Sequence, residues 1–168
     1  MTQPSRRSLI VDTSAAVAVI LGEPGSEELA AHLEDALSRL MPAAIRVELG
    51  IVIEALLWPA GHDVVDRFLR DAKIDIVSVD ADLAARAMSG WRRYGKGRHS
   101  VGLNFSDCFT YALAEQTGHP ILCAGDDFAA TDIAVVRPRA CLPGGPGGRV
   151  RAQNRCPVPP EGVPDRQE

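Results

Sequence analysis

Cysteine and histidine are scarce in this 168-residue chain, with four of each, and neither type is clustered. Cys108, Cys123, Cys141 and Cys156 form no C-x-x-C pair, and His32, His62, His99 and His119 stand singly. That pattern removes the usual grounds for a zinc site, a disulfide framework or a cysteine–histidine nucleophile. Cys108 and Cys123 fall inside apolar runs and read as small buried residues. Excess positive charge is also lacking. A formal charge of −4 and a pI near 5.6 give no global basic field, so any attraction for nucleic acid must come from a local patch or a metal ion. No apolar run is long enough to span a bilayer, and Met1 to Arg7 leads straight into a short strand and not into a signal-peptide core. The chain is therefore expected to be cytoplasmic. Internal repeats are absent as well.

What the chain does have is alternating strand and helix. Leu9-Ile10-Val11 is apolar without alternation, the pattern of a parallel strand covered on both faces. Helices are expected over Ala15–Leu21, Ser26–Leu40 with Ser26 as the cap, Ala43–Trp58 after a break at Met41-Pro42 that leaves room for a very short strand, and Asp63–Ala72. Ile74–Val79 reads as a strand near a sheet edge, and Asp80 as the cap of a helix over Ala81–Tyr94. A further helix runs from Ser106 to Gly118, followed by strands at Pro120–Ala124 and Ile133–Val136. With 46% hydrophobic residues this makes one three-layer α/β/α domain with a central, mainly parallel sheet over residues 8–142. Residues 1–7 are polar and expected to be flexible. From Pro143 on, eleven of 26 residues are Pro or Gly, so 143–168 is expected to be a disordered tail.

Four acids fall at the punctuation points of this pattern. Asp12 follows the first strand, Asp126 follows Ile121-Leu122-Cys123-Ala124-Gly125, Asp107 opens the Ser106 helix, and Glu48 lies in a helix beside Ala44, Ile45, Ile51 and Val52, where a solvated acid is out of place. The bland alternative for Asp107 is an N-terminal cap. In an open parallel sheet, however, the carboxyl ends of the strands share one rim, and acids gathered there repel one another unless a cation fills the space. Carboxylates without histidine or thiolate select Mg²⁺ or Mn²⁺, and such ions activate water against a phosphodiester. Ahead of Asp107 lies Trp91-Arg92-Arg93-Tyr94-Gly95-Lys96-Gly97-Arg98-His99, basic and interleaved with aromatics. Arg92, Arg93, Lys96 and Arg98 are candidates to contact the phosphates of a nucleic acid.

Val11-Asp12-Thr13-Ser14-Ala15, Val47-Glu48-Leu49, Tyr94–His99 leading to Gly102–Cys108, and Gly125-Asp126-Asp127-Phe128 with Thr131-Asp132 together resemble the PIN-domain ribonucleases of the VapC toxin type. The resemblance runs from Leu9 to about Val136. It implies a PIN-like fold and a Mg²⁺-dependent endoribonuclease, the toxin of a type II toxin–antitoxin pair. It also implies a homodimer and inhibition by a VapB-like antitoxin whose C-terminal segment occupies the acidic groove. By it, Asp12 and Asp107 match the principal metal ligands, Glu48 the third acid and Asp126 the fourth. Asp127 is the alternative for the last, because Gly125 holds the place where many PIN domains carry that acid. Ser14, Asp127 and Thr131 are candidates to support these acids. Two other readings compete: a phosphoacceptor receiver, which wants a lysine after its last strands that this chain lacks beyond His99, and a catalytically inactive RNA-binding module of the same fold.

Overall fold

A computed structural model of the chain describes residues 7–58, 61 and 63–139. Residues 1–6 and the tail 143–168, with Cys141, Cys156 and His62, lie outside the described residues. In chain order the elements are β1 (Leu9–Val11), α1 (Thr13–Leu21), α2 (Ser26–Asp35), β2 (Arg39–Pro42), α3 (Ala43–Leu57), α4 (Val64–Asp71), β3 (Ile74–Val77), α5 (Ala81–Tyr94), α6 (Phe105–Thr117), β4 (Ile121–Leu122) and β5 (Val135–Val136).

All five strands pair in parallel in the order β3-β2-β1-β4-β5. Because β1 is central and covered on both sides, its apolar run is divided between two cores by the strand's period of two. Leu9 and Val11 pack with Leu29 and Leu33 of α2, Ile45, Leu49 and Ile53 of α3, and Val65 and Leu69 of α4. Ile10 faces the other way, into Leu83 and Ala87 of α5 and Tyr111, Ala112, Leu113 and Ala114 of α6. The strand order reverses at β1, with β2 and β3 on one side and β4 and β5 on the other. Parallel sheets open a crevice at the carboxyl ends of strands where the order reverses, and here that place is the end of β1, occupied by Asp12.

Two local expectations are corrected. The helix expected over Ser26–Leu40 ends at Asp35: Ala36 is extended, and residues 39–42 form β2 between β1 and β3. Leu37 and Leu40 have helical spacing, but pairing with two strands outweighs it, and Leu37 is left exposed. Arg39 reinforces the stop by donating from Nε to the Leu33 carbonyl and from Nη2 to the Glu34 carbonyl, which satisfies acceptors that a helix C-terminus leaves open. At the other end of α2 the cap is Gly25, with φ of 89° and no side-chain hydrogen bond, and not Ser26. A Cβ at Gly25 would also lie 2.8 Å from the Pro138 ring, so the position is fixed both by its left-handed backbone and by space.

Candidate active site

Asp12 is the N-cap of α1, its side chain accepting from the Ser14 amide at 3.0 Å. It is buried, and both of its oxygens are occupied by hydroxyls: Ser14 donates to Oδ2 at 2.7 Å and Thr110 of α6 to Oδ1 at 2.9 Å. Glu48, on α3, is held in the same manner. Thr13 donates to its Oε2 and Ser106 to its Oε1, each at 2.5 Å. The two helices that begin at this rim thus each contribute one hydroxyl to each carboxylate. From α1, Thr13 goes to Glu48 and Ser14 to Asp12; from α6, Ser106 goes to Glu48 and Thr110 to Asp12. The arrangement ties α1, α3 and α6 together at the end of β1.

Asp107 completes the group from the first turn of α6. Asn104 is the cap of that helix, and Asp107 is the third residue of a capping box: Asn104 Oδ1 accepts from the Asp107 amide at 2.9 Å, and Asp107 Oδ2 accepts from the Asn104 amide at 2.8 Å. The capping reading of Asp107 is therefore correct as far as Oδ2. Oδ1 has no hydrogen-bond partner among the described residues, and no buried polar side-chain atom there lacks one, so Oδ1 opens to solvent.

The electrostatics show how close these acids are. Burial is the main reason that the Asp107 carboxyl is pushed up to about 7, and the nearby charges of Asp12, Asp127 and Glu48 push the same way. Burial likewise raises Asp12 despite its hydroxyl partners, and Glu48 adds to it. The buried Cys123 thiol, just past β4, is pushed up to about 12 by desolvation and then by Asp12 and Asp127. It is inert, as its apolar setting in the sequence suggested.

Of the other expected residues, Asp126 and Asp127 are both exposed; Asp126 pairs with Arg137 and is not among the charges acting on Asp107, whereas Asp127 is. Thr131 closes the turn after Asp127 by donating to the Phe128 carbonyl at 2.7 Å and touches none of the acids. In the basic segment, Arg93 is taken up by the protein: it donates to Tyr111 at 2.9 Å and Asp132 at 2.8 Å, while Tyr111 donates to Asp132 at 2.9 Å. Arg98 lies over the Trp91 ring at 4.3 Å. Arg92 and Lys96 are exposed and have no ion-pair partner among the described residues. The loop carrying Lys96 closes through a 2.9 Å bond from its amide to the Leu103 carbonyl, one residue before Asn104.

Thr13, Ser106 and Thr110 were not foreseen as site residues. Thr110 carried a usable signal, since it lies one helical turn beyond Asp107 in a run of apolar residues. Nothing local pointed to Thr13 or Ser106, whose partner is 35 or 58 residues away.

A model of the PIN domain family matches residues 9–134. The ribonuclease VapC30 of Mycobacterium tuberculosis is 45% identical over 128 residues, covering 76% of this chain and 98% of that protein. The chain belongs to the PIN-domain family of VapC ribonucleases. Among solved structures, Mycobacterium tuberculosis VapC20, described as a toxin cleaving the sarcin–ricin loop, superposes with a TM-score of 0.62 at 18% identity, over 77% of this chain and 99% of that one. VapBC2 of Rickettsia felis, bound to a fragment of its promoter DNA, gives 0.61 at 11% identity, over 77% and 98%. Both share the fold. The receiver alternative falls with these matches and with a strand order of 3-2-1-4-5, where receivers have 2-1-3-4-5.

In kind, the PIN-domain acids fit a hard divalent cation: carboxylate oxygens only, one of them open, crowded enough to raise each other's affinity for positive charge. Among the described residues, no three such side chains are gathered into a finished cage. Each of the four oxygens of Asp12 and Glu48 faces a hydroxyl donor. A carboxylate oxygen has a second lone pair, so this does not close the site to an ion.

The Asp107 carboxyl binds its proton more tightly in the folded chain than in the unfolded one, so the metal-free fold loses stability as pH rises from about 4 to about 7. Asp107→Asn keeps an oxygen for the Asn104 amide and removes the charge. In chelator at pH 8 it is expected to stabilise the protein by about 1–2 kcal/mol, a value discounted for partial exposure, with the difference vanishing below pH 4. Urea melts at the two pH values check this, and equal stability at pH 8 would contradict the crowding.

Proposed function

We propose that the hollow formed by Asp12, Glu48 and Asp107, with Asp127 beside it as the fourth acid, hydrolyses RNA phosphodiester bonds with Mg²⁺ or Mn²⁺. As a member of the VapC family the chain is an endoribonuclease and the toxin of a toxin–antitoxin pair. The observation that supports the site assignment is the crossed set of hydroxyls from α1 and α6, which holds the carboxylates of Asp12 and Glu48 together, with Asp107 near enough to feel the charge of both.

When bound, the cation supplies positive charge against the phosphate and Lewis acidity that makes water a nucleophile at neutral pH. Asp12 and Asp107 would hold it, with Glu48 as third ligand. The remaining work belongs to this chain's own groups. Ser14 and Thr110 fix both oxygens of Asp12, so its orientation is set before substrate arrives. Asp107 Oδ1 is the open oxygen, and without a cation that carboxyl holds or releases a proton near neutrality. Arg92, Lys96 and Arg98 would contact phosphates along the strand leading to the hollow, while Arg93 serves the protein's own packing.

A VapB-like antitoxin is the expected partner, as in the VapBC2 complex. No helix among the described residues is long and apolar enough to cross a membrane, and the reading places the toxin in the cytoplasm with its RNA. Homodimerisation through α3 also belongs to the proposal. Val47 and Ile51 on that helix and Trp58 at its C-cap are exposed apolar side chains, Trp58 being 78% exposed, and a second copy of the same surface would cover them. Ile51→Glu is expected to shift the protein from dimer to monomer in analytical ultracentrifugation; a dimer that persists would place the interface elsewhere.

Asp12→Asn is expected to reduce Mg²⁺-dependent RNA cleavage by at least about 100-fold while leaving the circular dichroism melt cooperative. Undiminished cleavage would reject the metal assignment. RNA binding without cleavage by the unmodified chain would support the inactive-module alternative.

A further inference from the structure

Asp12 and Asp107 are each anchored to the start of their own helix, Asp12 as the N-cap of α1 and Asp107 in the capping box of α6. Glu48 has no such anchor. It lies in the second turn of α3, away from the start of its own helix, and its longer side chain has more rotatable bonds to fix. Its two oxygens are held by hydroxyls from the other two helices, Thr13 of α1 and Ser106 of α6, each at 2.5 Å. Ser106 is itself buried, and its one hydroxyl proton faces two acceptors, Glu48 Oε1 and, 2.8 Å away, Asn104 Oδ1, the oxygen that caps α6. One short chain of contacts therefore runs from the cap of α6, through Ser106, to a carboxylate on α3.

We propose that Ser106, assisted by Thr13, is a positioning residue that holds Glu48 toward the hollow, with the second lone pairs of its oxygens left for a divalent cation. The inference rests on the metal-dependent reading above. Ser106 touches neither substrate nor ion. It acts through Glu48, and its removal frees a side chain that otherwise needs no reorganisation to become a ligand.

The test is cation binding by the metal-free full chain, followed with Mn²⁺ by electron paramagnetic resonance and calorimetry, alongside Mg²⁺ titrations of RNA cleavage. Ser106→Ala is expected to weaken Mn²⁺ binding about tenfold, the lower end for loss of a group that orients a ligand. It should raise the Mg²⁺ concentration for half-maximal cleavage by the same factor, with kcat at saturating Mg²⁺ changed less than twofold. Ser106→Thr, which keeps the hydroxyl, should restore binding. In a Glu48→Gln background Ser106→Ala should have little further effect, which a merely structural role would not produce. Thr13→Val gives the same comparison from α1 if Ser106→Ala fails to fold. Unchanged or tighter Mn²⁺ binding in Ser106→Ala, while Glu48→Gln weakens it, would overturn the positioning role and leave the metal site standing. No Mn²⁺ binding by the unmodified chain would overturn both.

Discussion

The structure depends on holding like charges together out of water. Asp12 and Asp107 are raised above the ordinary carboxylate range by burial, and the charges of neighbouring acids add to the cost. Four hydroxyls from the first two turns of two helices offset that cost by donating to Asp12 and Glu48. Without them, neighbouring desolvated carboxylates would turn outward to solvent or take up protons. With them, the crowding is preserved as a standing preference for positive charge at one point on the sheet rim. The rest of the fold supports that point: a central strand buried on both faces places Asp12 at the reversal of strand order, and α6 is aimed at it by a capping box.

Much of this was legible because it is local. The span Ala81–Tyr94 and its Asp80 cap, the start of α3 at Ala43, and the end of α6 at Gly118 follow from periodicity and capping chemistry within a few residues. The all-parallel sheet follows from apolar runs without alternation separated by helices. Glu48 attracted attention as an acid in an apolar setting, and the structure gives it two buried partners instead of solvent.

What escaped the sequence is decided by distant partners. The first half of β2, ahead of the short strand allowed at Met41-Pro42, hides in a stretch with helical spacing because β1 and β3, which claim it, lie some 30 residues away on either side. Arg93 has the composition of a phosphate contact, and its hydrogen bonds to Tyr111 and Asp132, 18 and 39 residues away, could not be read locally. Asp126 and Asp127 are equivalent as sequence neighbours, and their surroundings differ through Arg137, placed beyond β5, which pairs with Asp126. Serine and threonine are ordinary at helix starts, so Thr13 and Ser106 gave no sign that both reach Glu48.

The central claim is that Asp12, Glu48 and Asp107 share one cation. Anomalous scattering from crystals of the full chain grown with Mn²⁺ measures this directly. The account requires a peak in contact with carboxylate oxygens of Asp12 and Asp107 and within reach of Glu48. Peaks confined to other surfaces, with this rim empty at millimolar Mn²⁺, would contradict it.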